Sequence, residues 1–339
     1  MRDQHYYGHG KLLLTGEYFV LEGALALALP TTVGQSMKIH DRSSYSPSLK
    51  WKALDHNGKP WFEAEYEFWH FRELSSTDPK VSEDLQKILR QVRLQNPHFL
   101  RDDREVTVET KLEFPWDWGL GSSSSLLYNI AQWAYVSPFE LAVKAFGGSG
   151  YDIACAQSMG PIHYELKDGL PKWRPVGFAP SFRDQLFLVH LGKKRDTREA
   201  VQAFKALSSE ARRKPVDDIS SLTQEITVAA ELRHFERALR EHEALVASTL
   251  NLSPVRTELF SDFWGEVKSL GAWGGDFVLV TSSRDHHETR DYFTAKGLTT
   301  VIPYNELISG ARTDLGVSAG EASLRAKAPI SPRDSAHAP

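Results

Sequence analysis

Gly119-Leu120-Gly121-Ser122-Ser123-Ser124-Ser125 carries the clearest chemistry in the chain. Before it, Glu105 to Phe114 alternates Val106, Val108 and Leu112 against charged residues, the pattern of a half-buried strand. After it, Leu126, Leu127, Ile130, Ala131 and Ala134 recur at helical spacing. A helix that starts here has first-turn N–H groups without internal partners, and its dipole adds partial positive charge, so the spot suits an oxyanion. Gly119 and Gly121 let the backbone curl close to that anion with no Cβ in the way. Ser122 to Ser125 add hydroxyl donors, and one of them can reach a magnesium ion as an oxygen ligand. The Gly-Lys-[Ser/Thr] of a Walker A loop is missing. Taken alone, the run reads equally as a serine-capped helix after a flexible turn.

A second candidate is Gly192-Lys193-Lys194-Arg195-Asp196-Thr197-Arg198, between a strand and a helix. Three adjacent cations there can hold a carboxylate or a phosphate, or form a solvated basic loop. His286-His287 lies in a charged stretch and reads as surface. Trp116 and Trp118 flank the serine run, with packing the first reading and stacking on a flat ring the second.

The elements that must position these groups can be read along the chain. The first forty residues read as β structure: Lys11 to Thr15, then Leu25 to Leu29 ended by Pro30, then Met37 to His40. Leu49 to Asp55 and Pro60 to Phe68 flank Asn57-Gly58, which favours a hairpin turn. Val81 to Arg93 has helical spacing. Ser137-Pro138-Phe139-Glu140 has the form of a capping box with proline at the first helical position. Gly147 to Gly150 breaks that helix, Tyr151 to Ser158 forms a short one, and Pro161 to Leu166 returns to strand. Leu170 to Pro180, rich in Pro and Gly, is the expected domain boundary. Beyond it come a strand (Gln185 to Leu191) and helices over Asp196 to Leu207, Ile219 to Arg233, Phe235 to Leu250 and Thr257 to Leu270. The strand Phe277 to Val280, a helix over Glu288 to Lys296 and an edge strand, Thr299 to Ile302, complete the series. Such mixing predicts α+β layering. After Gly310 apolar residues thin out while Ala, Ser and Pro rise, so a disordered tail is expected. The expected division is 1–180, 181–310 and a tail at 311–339.

With 339 residues, the chain is longer than one core usually holds. A net charge of −4 gives no reason to expect nucleic acid or an anionic membrane as partner, so an anionic substrate must be met by local cations. The single cysteine, Cys155, excludes an intrachain disulfide. No apolar run approaches the roughly 18 residues that span a bilayer. Met1 to Gly10 lacks the apolar core of a signal peptide. The expectation is a cytoplasmic protein without an anchor; a homodimer is compatible with the sequence but not specified by it.

Three segments in order resemble the motifs of the GHMP kinases, the family of galactokinase, homoserine kinase, mevalonate kinase and phosphomevalonate kinase. Gly10-Lys11-Leu12-Leu13-Leu14-Thr15-Gly16-Glu17-Tyr18 resembles the first motif. Pro115-Trp116-Asp117-Trp118-Gly119-Leu120-Gly121-Ser122-Ser123 is similar to the second, Pro-x-x-x-Gly-Leu-Gly-Ser-Ser. Leu270-Gly271-Ala272-Trp273-Gly274-Gly275-Asp276-Phe277 resembles the third in part, with Trp273 where glycine is usual and Asp276 unexpected. Gly148-Ser149-Gly150-Tyr151-Asp152 resembles the segment that carries the catalytic aspartate of mevalonate kinases. Gly150-Tyr151-Asp152-Ile153-Ala154 is similar to the pentapeptide (GYDIA) by which a bacterial subgroup is known. The resemblance runs from about residue 8 to about residue 305.

The resemblance implies an N-terminal α/β domain like the second domain of ribosomal protein S5 and a C-terminal ferredoxin-like α+β domain. It implies an enzyme that uses ATP and Mg2+. Asp152 would be the base, and Lys11 its cationic neighbour. Gly119, Leu120, Gly121, Ser122, Ser123 and Ser124 would hold the nucleotide's phosphates, with Ser123 also on the metal. Glu17, Tyr18, Lys193, Lys194 and Arg195 would meet the substrate. Mevalonate kinases carry a glutamate metal ligand where Leu141 stands here; Glu140 is one residue off, and its capping-box context explains it structurally. The acceptor expected is a small anionic alcohol, first mevalonate. Phosphomevalonate is the rival, since phosphomevalonate kinases often have Gly-Glu-Tyr. A homologue that binds nucleotide without catalysis is the alternative of a different class, motivated by the altered third motif. A sugar or homoserine kinase and a decarboxylase of the same fold fit the motifs less well.

Overall fold

The structure is a computed structural model that describes residues 2–101, 104–145, 147–192, 197–271, 273 and 275–310. Two sheets organise it. The larger one holds β1 (Arg2–Leu13), β2 (Ala26–Ser43), β3 (Ser48–Leu54), β4 (Pro60–Glu67), β5 (Glu73–Ser76), β6 (Arg104–Leu112), β7 (Ile162–Lys167) and β8 (Leu170–Pro175). Their order is β5-β4-β3-β6-β2-β7-β8, with β1 also on β2. β3 runs parallel to β6, and the other pairs are antiparallel. The smaller sheet holds β9 (Leu186–His190), β10 (Val267–Ser269), β11 (Phe277–Thr281) and β12 (Val301–Pro303), in the antiparallel order β10-β11-β9-β12.

The helices are α1 (Pro79–Gln95), α2 (Ser122–Ala134), α3 (Pro138–Ala145), α4 (Tyr151–Ala156), α5 (Thr197–Ala206), α6 (Ser209–Arg213), α7 (Val216–Val228), α8 (Leu232–Leu250), α9 (Val255–Leu259), α10 (His286–Ala295) and α11 (Tyr304–Leu307). Local chemistry explains several of them. Asp78 caps α1 by accepting from the N–H groups of Lys80 (2.9 Å) and Val81 (3.2 Å), and Pro79 opens the first turn. Leu85, Ile88, Leu89 and Val92 then bury one stripe of α1. That stripe packs with Met37, Ile39, Trp51 and Val108 of the sheet and Leu127 and Ile130 of α2. Truncating one of these, as in Leu89→Ala, costs about 2–5 kcal/mol.

The two sheets are joined by apolar packing. Leu12, Leu14, Leu27 and Leu29 share a core with Leu222 and Ile226 of α7, Phe235 and Leu239 of α8, and Leu186, Leu188, Phe277 and Leu279 of the smaller sheet. The end of β1, which carries Lys11, is therefore held between both halves. α2 and α4 pack on β1 and β2 and bring their N-termini to the same place.

Three expectations change. Pro30 does not end a strand: β2 runs through it as one element. The missing N–H is tolerated because Pro30 faces Lys11 beside a bulge in β1, beyond the last residue of β2 that pairs with β7 and before the first that pairs with β6. Thr257 to Leu270 is not a helix. α9 stops at Leu259, and Phe260 and Phe263 turn inward onto Phe293 of α10, with ring centroids 5.4 and 5.1 Å away. Packing of these rings overrides the helical spacing and leaves the chain extended for β10. Leu170–Pro175, within the expected boundary, forms β8 at the sheet edge, where prolines cost little. Among the described residues, no helix is long and apolar enough to cross a membrane.

Candidate active site

The loop between β6 and α2 has a backbone that could receive an anion. Gly119 and Gly121 both adopt left-handed backbone (φ 66° and 85°), and Gly121 is the N-cap of α2. A glycine cap offers no side-chain oxygen, so the first-turn N–H groups stay available to an outside acceptor. Ser123 is exposed at that turn and Ser122 half-buried. Ser125 is not part of this face. Its hydroxyl bonds to Gln35 Oε1 and Ser122 O at 3.0 Å, which ties α2 to β2.

Lys11 reaches the loop from β1. Its backbone N–H donates to Leu120 O and its Nζ to Gly119 O, both at 2.9 Å. A Cβ on Gly121 would lie 3.0 Å from Lys11 Cγ, so a bare backbone there makes room for the lysine stem. Burial works against the Lys11 ammonium, but Tyr151, Asp276 and Asp152 outweigh it and raise its pKa above the usual lysine value.

Asp152 sits in the first turn of α4, and its Oδ1 accepts from the N–H of Ile153 at 3.0 Å. Its Oδ2 accepts from the Ser124 hydroxyl, so Ser124, expected on a phosphate, is committed to the carboxylate. Lys11, Asp152 and the loop Gly119 to Ser124 are thus brought together, as the motifs imply.

Glu17 and Tyr18 are placed elsewhere. Glu17 is 1% exposed and pairs with Lys268 of β10, which is 0% exposed. Glu243 lies 3.6 Å from Lys268, and His242 Nε2 is 3.5 Å from Glu17 Oε2. Burial pushes the Glu17 carboxyl up to about 7 against the pull of Lys268. Burial, then Lys268, holds His242 well below its usual value, so it is neutral. Its Nε2 accepts from Gly16 N–H at 3.0 Å, which places the proton on Nδ1. The Tyr18 hydroxyl accepts from the N–H of Trp273 at 3.1 Å. These two residues join the halves of the molecule rather than line an open site.

Of the remaining candidates, Lys193, Lys194 and Arg195 lie outside the described residues. Leu141 is buried, and Glu140 pairs with Lys144 one turn on at 2.5 Å. Trp118 packs against Phe277 and His190, with centroids 5.5 and 6.1 Å away, while Trp116 is 69% exposed. The Lys268 cluster escaped the sequence reading. A lysine between Val267 and the run Ser269-Leu270 is a charge in an apolar stretch, and that was its only signal.

No protein-family model and no curated protein matches the sequence. Solved structures match the fold. The chain is similar to the mevalonate kinase of Methanococcus jannaschii, with 16% identity, TM-score 0.64 and coverage of 89% of this chain and 97% of that one. It is similar to Streptococcus pneumoniae phosphomevalonate kinase in complex with phosphomevalonate and AMPPNP (17%, TM-score 0.60, 89% and 99%). It is similar also to Lactococcus lactis galactokinase complexed with galactose (14%, TM-score 0.65, 91% and 93%). The fold is shared with these mevalonate kinase, phosphomevalonate kinase and galactokinase structures. At these identities the likeness is one of architecture across the class and selects no member of it.

Proposed function

We propose that the protein is an ATP-dependent phosphotransferase that phosphorylates the hydroxyl of a small anionic alcohol, with mevalonate as acceptor and phosphomevalonate as the alternative. The observation that carries this reading is the meeting of Lys11, Asp152 and the Gly119–Ser124 loop, from three separate segments, around one helix N-terminus.

The residues present fit Mg-ATP. The glycine cap of α2 leaves N–H donors for phosphate oxygens, and the exposed Ser123 hydroxyl is the candidate metal ligand. Leu141 is buried and carries no oxygen, and Glu140 is paired to Lys144, so neither stands in for the glutamate ligand of mevalonate kinases, and magnesium tolerates waters in such a place. When bound, Mg2+ offsets charge on the phosphates. The acceptor hydroxyl attacks the terminal phosphorus, the bond to the ADP oxygen breaks, and the alcohol proton passes to Asp152. Ser124 and the Ile153 N–H hold that carboxylate in place. Lys11 sets a fixed positive charge beside the loop, where charge on the transferred group is offset without reorganisation. In the sequence, the tandem cations Lys193, Lys194 and Arg195 support an acceptor that carries a carboxylate or a phosphate.

The test is ADP release with Mg-ATP against mevalonate, phosphomevalonate, homoserine and galactose. Turnover with mevalonate alone is the expected result. Turnover confined to phosphomevalonate selects the alternative, and silence across the panel with nucleotide binding intact removes the acceptor assignment.

A further inference from the structure

The strands of the smaller sheet send alternate side chains to opposite faces. Leu186, Leu188, Phe277 and Leu279 face α7 and α8, in the core shared with the larger sheet. Phe187, Val189, Val278 and Val280 face the other way, onto Phe260 and Phe293. β10 divides in the same manner. Lys268 enters the sealed cluster with Glu17, while Val267 belongs to the Phe260 side. Ser269, two residues on from Val267, shares that second face.

At this end of the sheet the helical cover is short. α9 has only five residues and α10 stops at Ala295, so loops close the edge. A cavity of about 560 Å3 lies there. Its floor is formed by the buried side chains of Leu191, Val255, Phe260 and Trp273, and its mouth by the exposed Leu252 and Leu259. Ser269 also lines it and is 2% exposed, and its hydroxyl has no hydrogen-bond partner among the described residues. The main chain of Ser269 is better served: its N–H donates to Glu243 at 3.2 Å and its carbonyl accepts from Lys268 at 2.9 Å.

These features set the class of occupant. The volume falls within the range of small-molecule pockets, roughly 300–1,000 Å3. An apolar floor favours an apolar body, and Trp273, where the resembled motif has glycine, supplies a flat ring for it. A buried hydroxyl without a partner is costly, and a ligand group that meets it removes that cost. The charged side chains of the lining are Glu258 and Lys296, one of each sign and both exposed, and Lys296 is paired with Asp262 at 3.0 Å. The lining therefore selects for no ion.

We propose that this cavity is a second binding site, for a small neutral molecule with a mostly apolar body and one hydroxyl or carbonyl group that bonds to Ser269. The site lies on the face of the smaller sheet turned away from α7 and α8, and it does not depend on reading the loop as a nucleotide site.

The experiment titrates the full chain with naphthalenemethanol and with methylnaphthalene, which lacks the hydroxyl, and follows each probe by ligand-observed NMR. Wild type is expected to bind naphthalenemethanol saturably at one site. Ser269→Ala should weaken that probe by about 5-fold and change methylnaphthalene by less than about 2-fold. Leu259→Trp fills the mouth from an exposed position that the fold tolerates, and should weaken both probes by about 10-fold or more. Leu170→Trp, on the exposed edge strand β8, should leave both unchanged. No saturable binding by wild type overturns the proposal, as does a Leu259→Trp variant that binds like wild type. Equal weakening of the two probes in Ser269→Ala also overturns it, because the hydroxyl then plays no part in recognition. None of these readouts involves nucleotide, so failure of the phosphotransferase reading leaves them standing.

Discussion

Two lysines, each facing two carboxylates, join the halves of this molecule, and they differ in burial. Lys11 faces Asp152 and Asp276 at the edge of the phosphate loop. Lys268 faces Glu17 and Glu243 in a sealed interior, with neutral His242 alongside. Glu17 follows Lys11 closely in the chain, so one segment feeds both clusters. In the sealed cluster, charge must be settled among the residues themselves, because desolvation penalises any unmatched ion by several kcal/mol. Hence the upward shift of Glu17 and of Glu243, both led by burial. Lys11 and Asp152 of the half-open cluster are only partly buried, so water and visiting groups can share in settling the charge there. Similar charges thus give a sealed lock in one place and, in the proposed reading, a reactive site in the other.

The largest expected effect breaks the lock. Lys268→Met leaves two buried carboxylates without their cation and should cost about 3–5 kcal/mol in urea unfolding. Lys11→Met, half-buried, should cost distinctly less stability while removing turnover. Equal losses in the two variants would erase the distinction. Next, Asp152→Asn should lower turnover by about 10²-fold or more with nucleotide affinity little changed.

A pH series sharpens the sealed side. Glu17 has a raised pKa, so its protonated form contributes stability that is full below its unfolded value of 4.5 and is lost as pH rises through about 7. Glu17→Gln does not ionise, so its stability relative to wild type should rise between pH 4.5 and 7, by on the order of 2 kcal/mol. His242 is present in both proteins and largely cancels. A flat difference across that window would show that Glu17 stays ionised. The smallest expected effect is Ser124→Ala, which removes a donor from Asp152. It should lower kcat by about 5-fold, the equivalent of about 1 kcal/mol.

The open cluster was more legible in the sequence than the sealed one. The glycines and serines of the loop follow a strand and start a helix, so local physics already marks an anion site there. Lys11 and Asp152 came from motif resemblance, and their meeting needs only that β1 and α4 flank α2. Lys268 was hidden because its strand is short and lies in a run whose helical spacing is overridden by Phe260 and Phe263. The burial of Glu17 depends on that distant lysine, so nothing near Gly16 could reveal it. Asp276 showed as an oddity in a Gly-rich motif, yet its contact with Gly119 exists only once the smaller sheet docks on the loop. Pro30 misled for a related reason: whether a proline ends a strand depends on what pairs beside it.

The most direct measurement is ADP release from Mg-ATP by wild type and Asp152→Asn with the same acceptor, with the AMPPNP affinity of each measured in parallel. Acceptor-dependent turnover in wild type, reduced by about 10²-fold or more in the variant at near-equal affinity, is the predicted result. Turnover that survives in Asp152→Asn, or wild type that binds nucleotide and releases no ADP with any acceptor, would contradict the assignment of the open cluster as the reactive one.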